Sequence, residues 1–167
     1  INAQQEIELF DLGDITGVEN ALSNNDVCAV IIECVQGVGG LDESTTSFYK
    51  RLYHLCKKFN VVLIADEVQS GFGRTGDFFA FQKHKIIPDI ISMAKGMGNG
   101  FPIGGILIHP KIKASFGLLG TTFGGNHLAC TASLTVLEVI KKEKLQENAK
   151  MIFDYFKKEA QSLPHLK

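Results

Sequence analysis

Two apolar runs on either side of one helical pattern constrain the fold of this chain more than any other feature. Val27–Val35 (VCAVIIECV) is a nearly continuous β-branched stretch, and Val61–Ala65 (VVLIA) is a second. Short apolar runs without alternation predict strands buried on both faces, as in a parallel sheet. Between them Phe48, Leu52, Leu55, Cys56 and Phe59 recur at spacings of four, three, one and three residues, which is one face of an α-helix. Ser44 is placed to cap that helix, and Lys57 and Lys58 lie at its C-terminal end, where the helix dipole favours cations. Strand, helix and strand at this spacing form a βαβ unit, whose crossover should be right-handed. The predicted fold class is therefore α/β, a mostly parallel sheet flanked by helices.

The remaining elements follow from the same signals. Glu6–Phe10 reads as a short strand, and Asp14 as the N-cap of a helix through Leu22 that Asn24-Asn25-Asp26 ends. Phe78–His84 reads as a short helix stopped before Pro88, Asp89–Ala94 as a third strand and Gly105–His109 as a fourth. A loop-rich stretch over Lys111–Gly125 contains GTTFGG. Leu128, Ala132, Val136, Val139 and Ile140 predict a buried helix, and Leu145, Ala149, Ile152, Phe156, Ala160 and Leu163 a longer amphipathic one.

Composition excludes several function classes. Seventeen basic and eighteen acidic residues leave a net charge of −1, so no overall field recruits nucleic acid or an anionic membrane. No apolar run approaches the ~20 residues of a membrane span. The four cysteines (Cys28, Cys34, Cys56, Cys130) form no CxxC, which fits a reducing cytoplasm better than a disulfide framework. The five histidines form no ligand cluster, so no metal site is expected. The chain opens at Ile1 without Met on a segment that reads mid-protein, and a central portion of a longer protein is expected.

The chemistry concentrates between Val61 and Gly104. VVLIADE ends a strand in acid, VQSGFGRTG forms a polar turn-rich loop, and DIISMA runs into Lys95 in KGMGNGFPIGG. Asp66 and Lys95 thus fall just past two strand-like runs, where open α/β sheets place their ligand sites. Gly71, Gly73 and Gly76 spell GxGxxG, yet the acids precede them and Asp89 begins the next strand instead of ending it, so a dinucleotide site is rejected. Taken alone, Asp66 could cap a neighbouring loop and Lys95 could be a surface lysine. Together they offer a carboxylate for a pyridinium nitrogen and, in an apolar setting, an easily deprotonated amine for a Schiff base, which is what pyridoxal phosphate requires.

LIADEVQSGFGRTG, PDIISMAKGMGNGFPIGG and GTTFGGNHLAC resemble, in order, the class III (ornithine-type) aminotransferases of fold type I, over essentially the whole chain. Within that family the wording is most similar to the acetylornithine branch. The resemblance implies a large pyridoxal-5′-phosphate-binding domain, here over 1–143, followed by a linker helix over 144–167 toward a small C-terminal domain. It implies transfer of the terminal amine of an N-acylornithine to 2-oxoglutarate, a step of arginine biosynthesis, by a cytoplasmic homodimer with a shared active site. Lys95 would carry the Schiff base and shuttle the proton, and Asp66 would pair with the ring nitrogen. Gln69 would meet the phenolic oxygen, Val68 would pack on a ring face, and Glu67 would stand behind them. Thr122 matches the threonine that binds the phosphate of the neighbouring subunit's cofactor, while Thr121 and Glu33 would touch substrate. Without the family, both threonines could equally satisfy a turn.

Two departures stand out. The family reads E-P-x-Q-G-E-x-G where this chain has ECVQGVGG, so Cys34 replaces proline and Val38 replaces a glutamate that pairs with a C-terminal arginine. Val38 cannot make that pair, which leaves the amino donor open, with 4-aminobutyrate and free ornithine as competitors. His127 replaces the usual proline after Asn126, altering how a helix begins. The family's phosphate loop, stacking aromatic and substrate-binding arginines find no match here, so a domain that folds and associates without turnover is the alternative of another class.

Overall fold

The computed structural model describes residues 7–113, 115, 117 and 120–163. Four strands form one sheet in the order β1-β2-β3-β4: β1 is Ala29–Ile32, β2 is Val62–Asp66, β3 is Ile90–Met93 and β4 is Gly105–Ile108. The first three run parallel, with Ala29 opposite Val62, Ile32 opposite Ala65 and Asp66 opposite Ser92. β4 is antiparallel to β3, pairing Met93 with Gly105 and Ile90 with Ile108. The mostly parallel α/β sheet expected from the two apolar runs is thus present.

Helix α1 (Ile15–Ser23) begins at Asp14, whose carboxylate accepts the Gly17 amide at 2.9 Å. Helix α2 (Thr46–Phe59) connects β1 to β2. Its cap is Thr45, not Ser44: the Thr45 hydroxyl accepts the Phe48 amide at 3.2 Å, and Asn60 in the left-handed region ends the helix. A hydroxyl at either position satisfies the pattern in sequence, and the three-residue reach to an orphan amide selects the second. Leu22, Leu52, Leu55 and Leu63 are each about 1% exposed and form the centre of the core with Tyr49 and Cys56. Burial of each leucine contributes roughly 1.5–3 kcal/mol.

Helix α3 (His127–Lys142) starts where Asn126 accepts the Ala129 amide at 2.9 Å, so a histidine serves in the first helical position in place of proline. Helix α4 (Leu145–Gln161) follows after Lys144 in the left-handed region. Its first turns dock on the loop after β2, where Lys150 Nζ meets Asp77 Oδ1 at 2.9 Å.

Several expected features differ. Residues 7–10 carry no strand, and Glu6 lies outside the described residues. β1 is not covered on both faces, since Ile31 is 65% exposed on an edge strand. The segment expected as a helix over Phe78–His84 is a 3-10 helix over Ala80–His84. On α3 the inward residues are Ala129, Ser133 and Ile140, while Leu128 and Val139 are exposed. The apolar stripe of α4 is uncovered at Ile152 and Phe156, and Leu163 lies past the helix end. Periodicity identifies a helix face correctly in type, but only the neighbouring layer decides which rotation of it is buried.

Candidate active site

All three parallel strands end on the same edge of the sheet, and the chemistry gathers there. Asp66 is the last residue of β2, facing Ser92 of β3 in register, and Lys95 follows two residues after β3 ends. Neighbouring strands lie ~4.8 Å apart, so the register fixes the carboxylate and the lysine loop side by side. Glu33 follows β1 on that edge and is half-buried.

Asp66 is held without being used up. Its Oδ1 accepts the Val68 amide at 3.0 Å and the Ser92 hydroxyl at 3.0 Å. Among the described residues no donor meets Oδ2. Glu67, its neighbour, points the other way and is fully buried. One oxygen accepts the Ser70 hydroxyl at 2.7 Å and the Ala80 amide at 3.0 Å, and the other accepts the Phe81 amide at 3.0 Å. The start of the 3-10 helix is thereby capped by a side chain thirteen residues upstream, which fixes both ends of the intervening loop. Adjacent acids therefore divide the work: Glu67 builds the loop, and Asp66 faces the open edge.

Lys95 opens a 3-10 turn over Lys95–Met97 with φ +42°, a left-handed conformation that costs a non-glycine residue roughly 1–3 kcal/mol. The amides of Gly98 and Asn99 both bond back to its carbonyl, at 3.1 Å each, and hold it there. A Cβ at Gly96 would lie 3.2 Å from Phe72 Cβ, so a larger residue would press the lysine turn and the 71–73 turn apart by a few tenths of an ångström. The lysine side chain is exposed, in contrast to the apolar pocket expected from its flanking residues. Those residues, Ile91 and Met93, are spent on the sheet.

Val68 and Gln69 are half-buried on the loop between Asp66 and the glycines. The Gln69 carboxamide lies against Gly37 of the loop that follows β1, where a Cβ would meet its Oε1 at 2.8 Å. Thr121 and Thr122 are exposed on the segment leading into α3, and no hydrogen bond joins them to Asp66 or Lys95 among the described residues. Gly71, Gly73 and Gly76 form turns after which no α-helix opens, in keeping with the rejected dinucleotide site.

Three contributors escaped the sequence reading. Ser92 is a lone hydroxyl in the apolar run DIISMA, a signal that could have flagged it. Gly37 and Tyr49 are visible only once the loops are placed. Cys34, beside Glu33, is no nucleophile: burial first, then the charges of Glu67 and Glu43, push its thiol up to about 12. Burial likewise takes Cys56 up to about 11.

A family model for class III aminotransferases matches residues 2–167, and the chain belongs to that family, whose cofactor is pyridoxal 5′-phosphate. It is 47% identical over 139 residues to the mitochondrial alanine–glyoxylate aminotransferase 2 homolog 2 of Arabidopsis thaliana, covering 82% of this chain and 29% of that one. It is 43% identical over 154 residues to acetylornithine aminotransferase of Aquifex aeolicus, covering 91% and 40% respectively. The solved ornithine aminotransferase of Toxoplasma gondii ME49 superposes with a TM-score of 0.89 at 35% identity, covering 93% of this chain and 38% of that one. This chain therefore spans well under half the length of these relatives. Its fold is that of the fold type I large domain, of which it spans a part.

The donor set fits the family's cofactor. A carboxylate with one free oxygen suits a pyridinium N–H, a carboxamide suits a phenolic oxygen, and a lysine in an exposed, glycine-flanked turn suits an aldehyde carbon.

Proposed function

We propose that this chain forms the cofactor-anchoring centre of an aminotransferase that moves the terminal amine of an N-acylornithine to 2-oxoglutarate. The observation that carries the reading is the register: Asp66 and Lys95 stand at the carboxyl ends of adjacent parallel strands, with Ser92 between them. Pyridoxal phosphate, when bound, supplies an electron sink for the carbon that loses its proton. Asp66 holds the ring nitrogen in its protonated form, Gln69 binds the phenolic oxygen, and Val68 packs against a ring face. Lys95 would hold the aldehyde carbon of the cofactor, and its amine, when free, would be the group placed to move the substrate proton. Glu67 keeps the loop that carries these groups in place.

Thr122 contacts the phosphate in the neighbouring subunit of a homodimer, and Thr121 and Glu33 line the substrate side. Residues 1–143 serve the large domain and 144–167 lead to a second one. A reducing cytoplasm suits the four free thiols. No helix among the described residues is long and apolar enough to cross a membrane.

Val38, 88% exposed at the tip of its loop, offers no carboxylate to pair with an arginine, so the choice of amino donor rests on other residues. The full-length protein incubated with pyridoxal phosphate and reduced with borohydride should carry the cofactor on Lys95 by peptide mass spectrometry. Absence of that adduct overturns the assignment. A donor panel should rank N-acetylornithine above 4-aminobutyrate and ornithine, and a reversed ranking moves the protein to another branch. Adduct formation without turnover of any donor favours a binding domain over an enzyme.

A further inference from the structure

The loop that follows β1 is closed on itself and presses against Gln69. Tyr49, fully buried on α2, donates its hydroxyl to the Cys34 carbonyl at 3.0 Å and accepts the Ser44 amide at 3.1 Å, so one phenol pins both roots of the loop. The Tyr49 ring is fixed in turn by stacking on buried His84 at 4.2 Å, and His84 Nδ1 bonds the Thr46 hydroxyl at 3.0 Å. Inside the pinned roots, Gln36 and Asp42 form an antiparallel rung, with the Gln36 amide donating to the Asp42 carbonyl at 2.9 Å. Gly37 follows that rung directly. A Cβ there would lie 2.8 Å from Gln69 Oε1 and 2.9 Å from both Cδ and Nε2, closer than side-chain atoms approach. The flexible end of Gln69 is what would have to yield, since the three atoms nearest that Cβ all belong to its carboxamide.

We propose that the 34–44 loop is a shelf that sets the Gln69 carboxamide, with Gly37 as its surface and Tyr49 as its pin, so that both are positioning residues for the cofactor's phenolic oxygen. This rests on the proposed function, because it assigns Gln69 to that oxygen. The shelf acts from a direction that the sequence around Gln69 does not reveal: Gly37 lies thirty-two residues upstream, on another strand's loop. A rigid support matters because a carboxamide at the end of three free torsions loses binding strength when it must be ordered on each encounter.

The test uses the full-length protein and the pyridoxal phosphate dissociation constant, together with the pH at which the bound cofactor's visible absorption changes. Gly37→Ala should weaken binding about 5- to 10-fold, the worth of one displaced hydrogen bond, while leaving the melting temperature unchanged. Gln69→Ala should weaken it by a similar factor and shift the spectral transition in the same direction. The double variant should be no worse than either single one, because both remove the same contact. Tyr49→Phe keeps the ring stack and should weaken binding about 2- to 3-fold, less than one full hydrogen bond, and this effect too should vanish beside Gln69→Ala. Multiplying effects of Gly37→Ala and Gln69→Ala, or a Gly37→Ala protein that binds and titrates like the parent, overturns the shelf. A Tyr49→Phe protein that melts earlier but binds and titrates normally overturns its part as pin. A parent protein that takes up no cofactor overturns the functional reading itself, and is recognised before any variant is made.

Discussion

Asp66 closes β2, and Asp89 precedes β3 at the other edge of the same strand pair. Asp89 is 2% exposed and paired with charge: Oδ2 accepts the Leu63 amide at 3.0 Å, while Oδ1, which accepts no well-aligned hydrogen bond among the described residues, lies 2.7 and 3.5 Å from the ammonium groups of Lys111 and Lys57. Burial alone would raise its pKa, but the contacts with Lys111, the Leu63 amide and Lys57 outweigh it and hold the carboxyl below the usual range. Among the described residues Asp66 has only the Val68 amide and the Ser92 hydroxyl, both on one oxygen. The amino edge of the sheet spends its carboxylate on the fold. The carboxyl edge leaves one partly unspent, and Lys95 keeps a strained backbone nearby. The half-buried Asp66 keeps one oxygen toward the open edge beside that strained turn, which is the arrangement the proposed cofactor site would use.

Substitutions should separate the two edges, beginning with the largest effect. Lys95→Ala in the full-length protein should lower turnover by about 10⁴-fold or more if Lys95 is, as proposed, both the attachment point and the general base. Its stability should change by less than about 1 kcal/mol, as expected for an exposed side chain. Parallel measurements of kcat and thermal melting check this, and a large loss of stability with retained turnover would reverse the assignment of the edges. Asp66→Asn should cost about 10²- to 10³-fold in kcat, the scale of a lost electrostatic stabiliser, again with little effect on melting.

The opposite pattern is expected at the amino edge. Asp89→Asn should destabilise by about 2 kcal/mol, discounted from the usual cost of breaking a buried pair because both lysines are more than a third exposed. Its kcat should stay within about 2-fold of the parent.

The pH dependence of stability sharpens the contrast further. The folded pKa of Asp89 lies below its unfolded value, so its contribution is present above about pH 4 and is lost as pH falls through the folded value. Chemical denaturation between pH 3 and 5 should show a shallower fall for Asp89→Asn than for the parent. His84 gives the smallest effect. Burial, then the neighbouring Lys83, lowers its folded pKa, so the unfolded chain takes up a proton first. Stability should therefore decline as pH drops below about 6.5, and His84→Asn should remove that decline. An unchanged slope would mean that the Tyr49–His84 stack tolerates the charged ring.

Much of the site was legible because strand ends and chemistry coincide in one stretch. The apolar run VVLIA stops at Asp66, and DIISMA stops at Lys95, so both positions could be read without coordinates. Glu67 was placed behind the site, yet its partners, the amides of Ala80 and Phe81, lie beyond the glycine turns and could not be guessed. Ser44 is the expected cap and Thr45 the actual one, because adjacent hydroxyls look alike in sequence and only the helix's starting turn chooses between them. The inward face of α3 was misjudged at Leu128 and Val139, since periodicity contains no information about where the neighbouring layer stands.

The order of strands along the chain, the helix between the first two, and the residue types at their ends were determined by sequence alone. They depend on local hydrophobic patterning, which each segment carries within itself. Tertiary structure decided the register that sets Asp66 opposite Ser92, the left-handed turn at Lys95 and the contact of Gly37 with Gln69. Each of these joins residues distant in the chain, and their meeting depends on how the sheet twists and how loops from different strands converge on one edge.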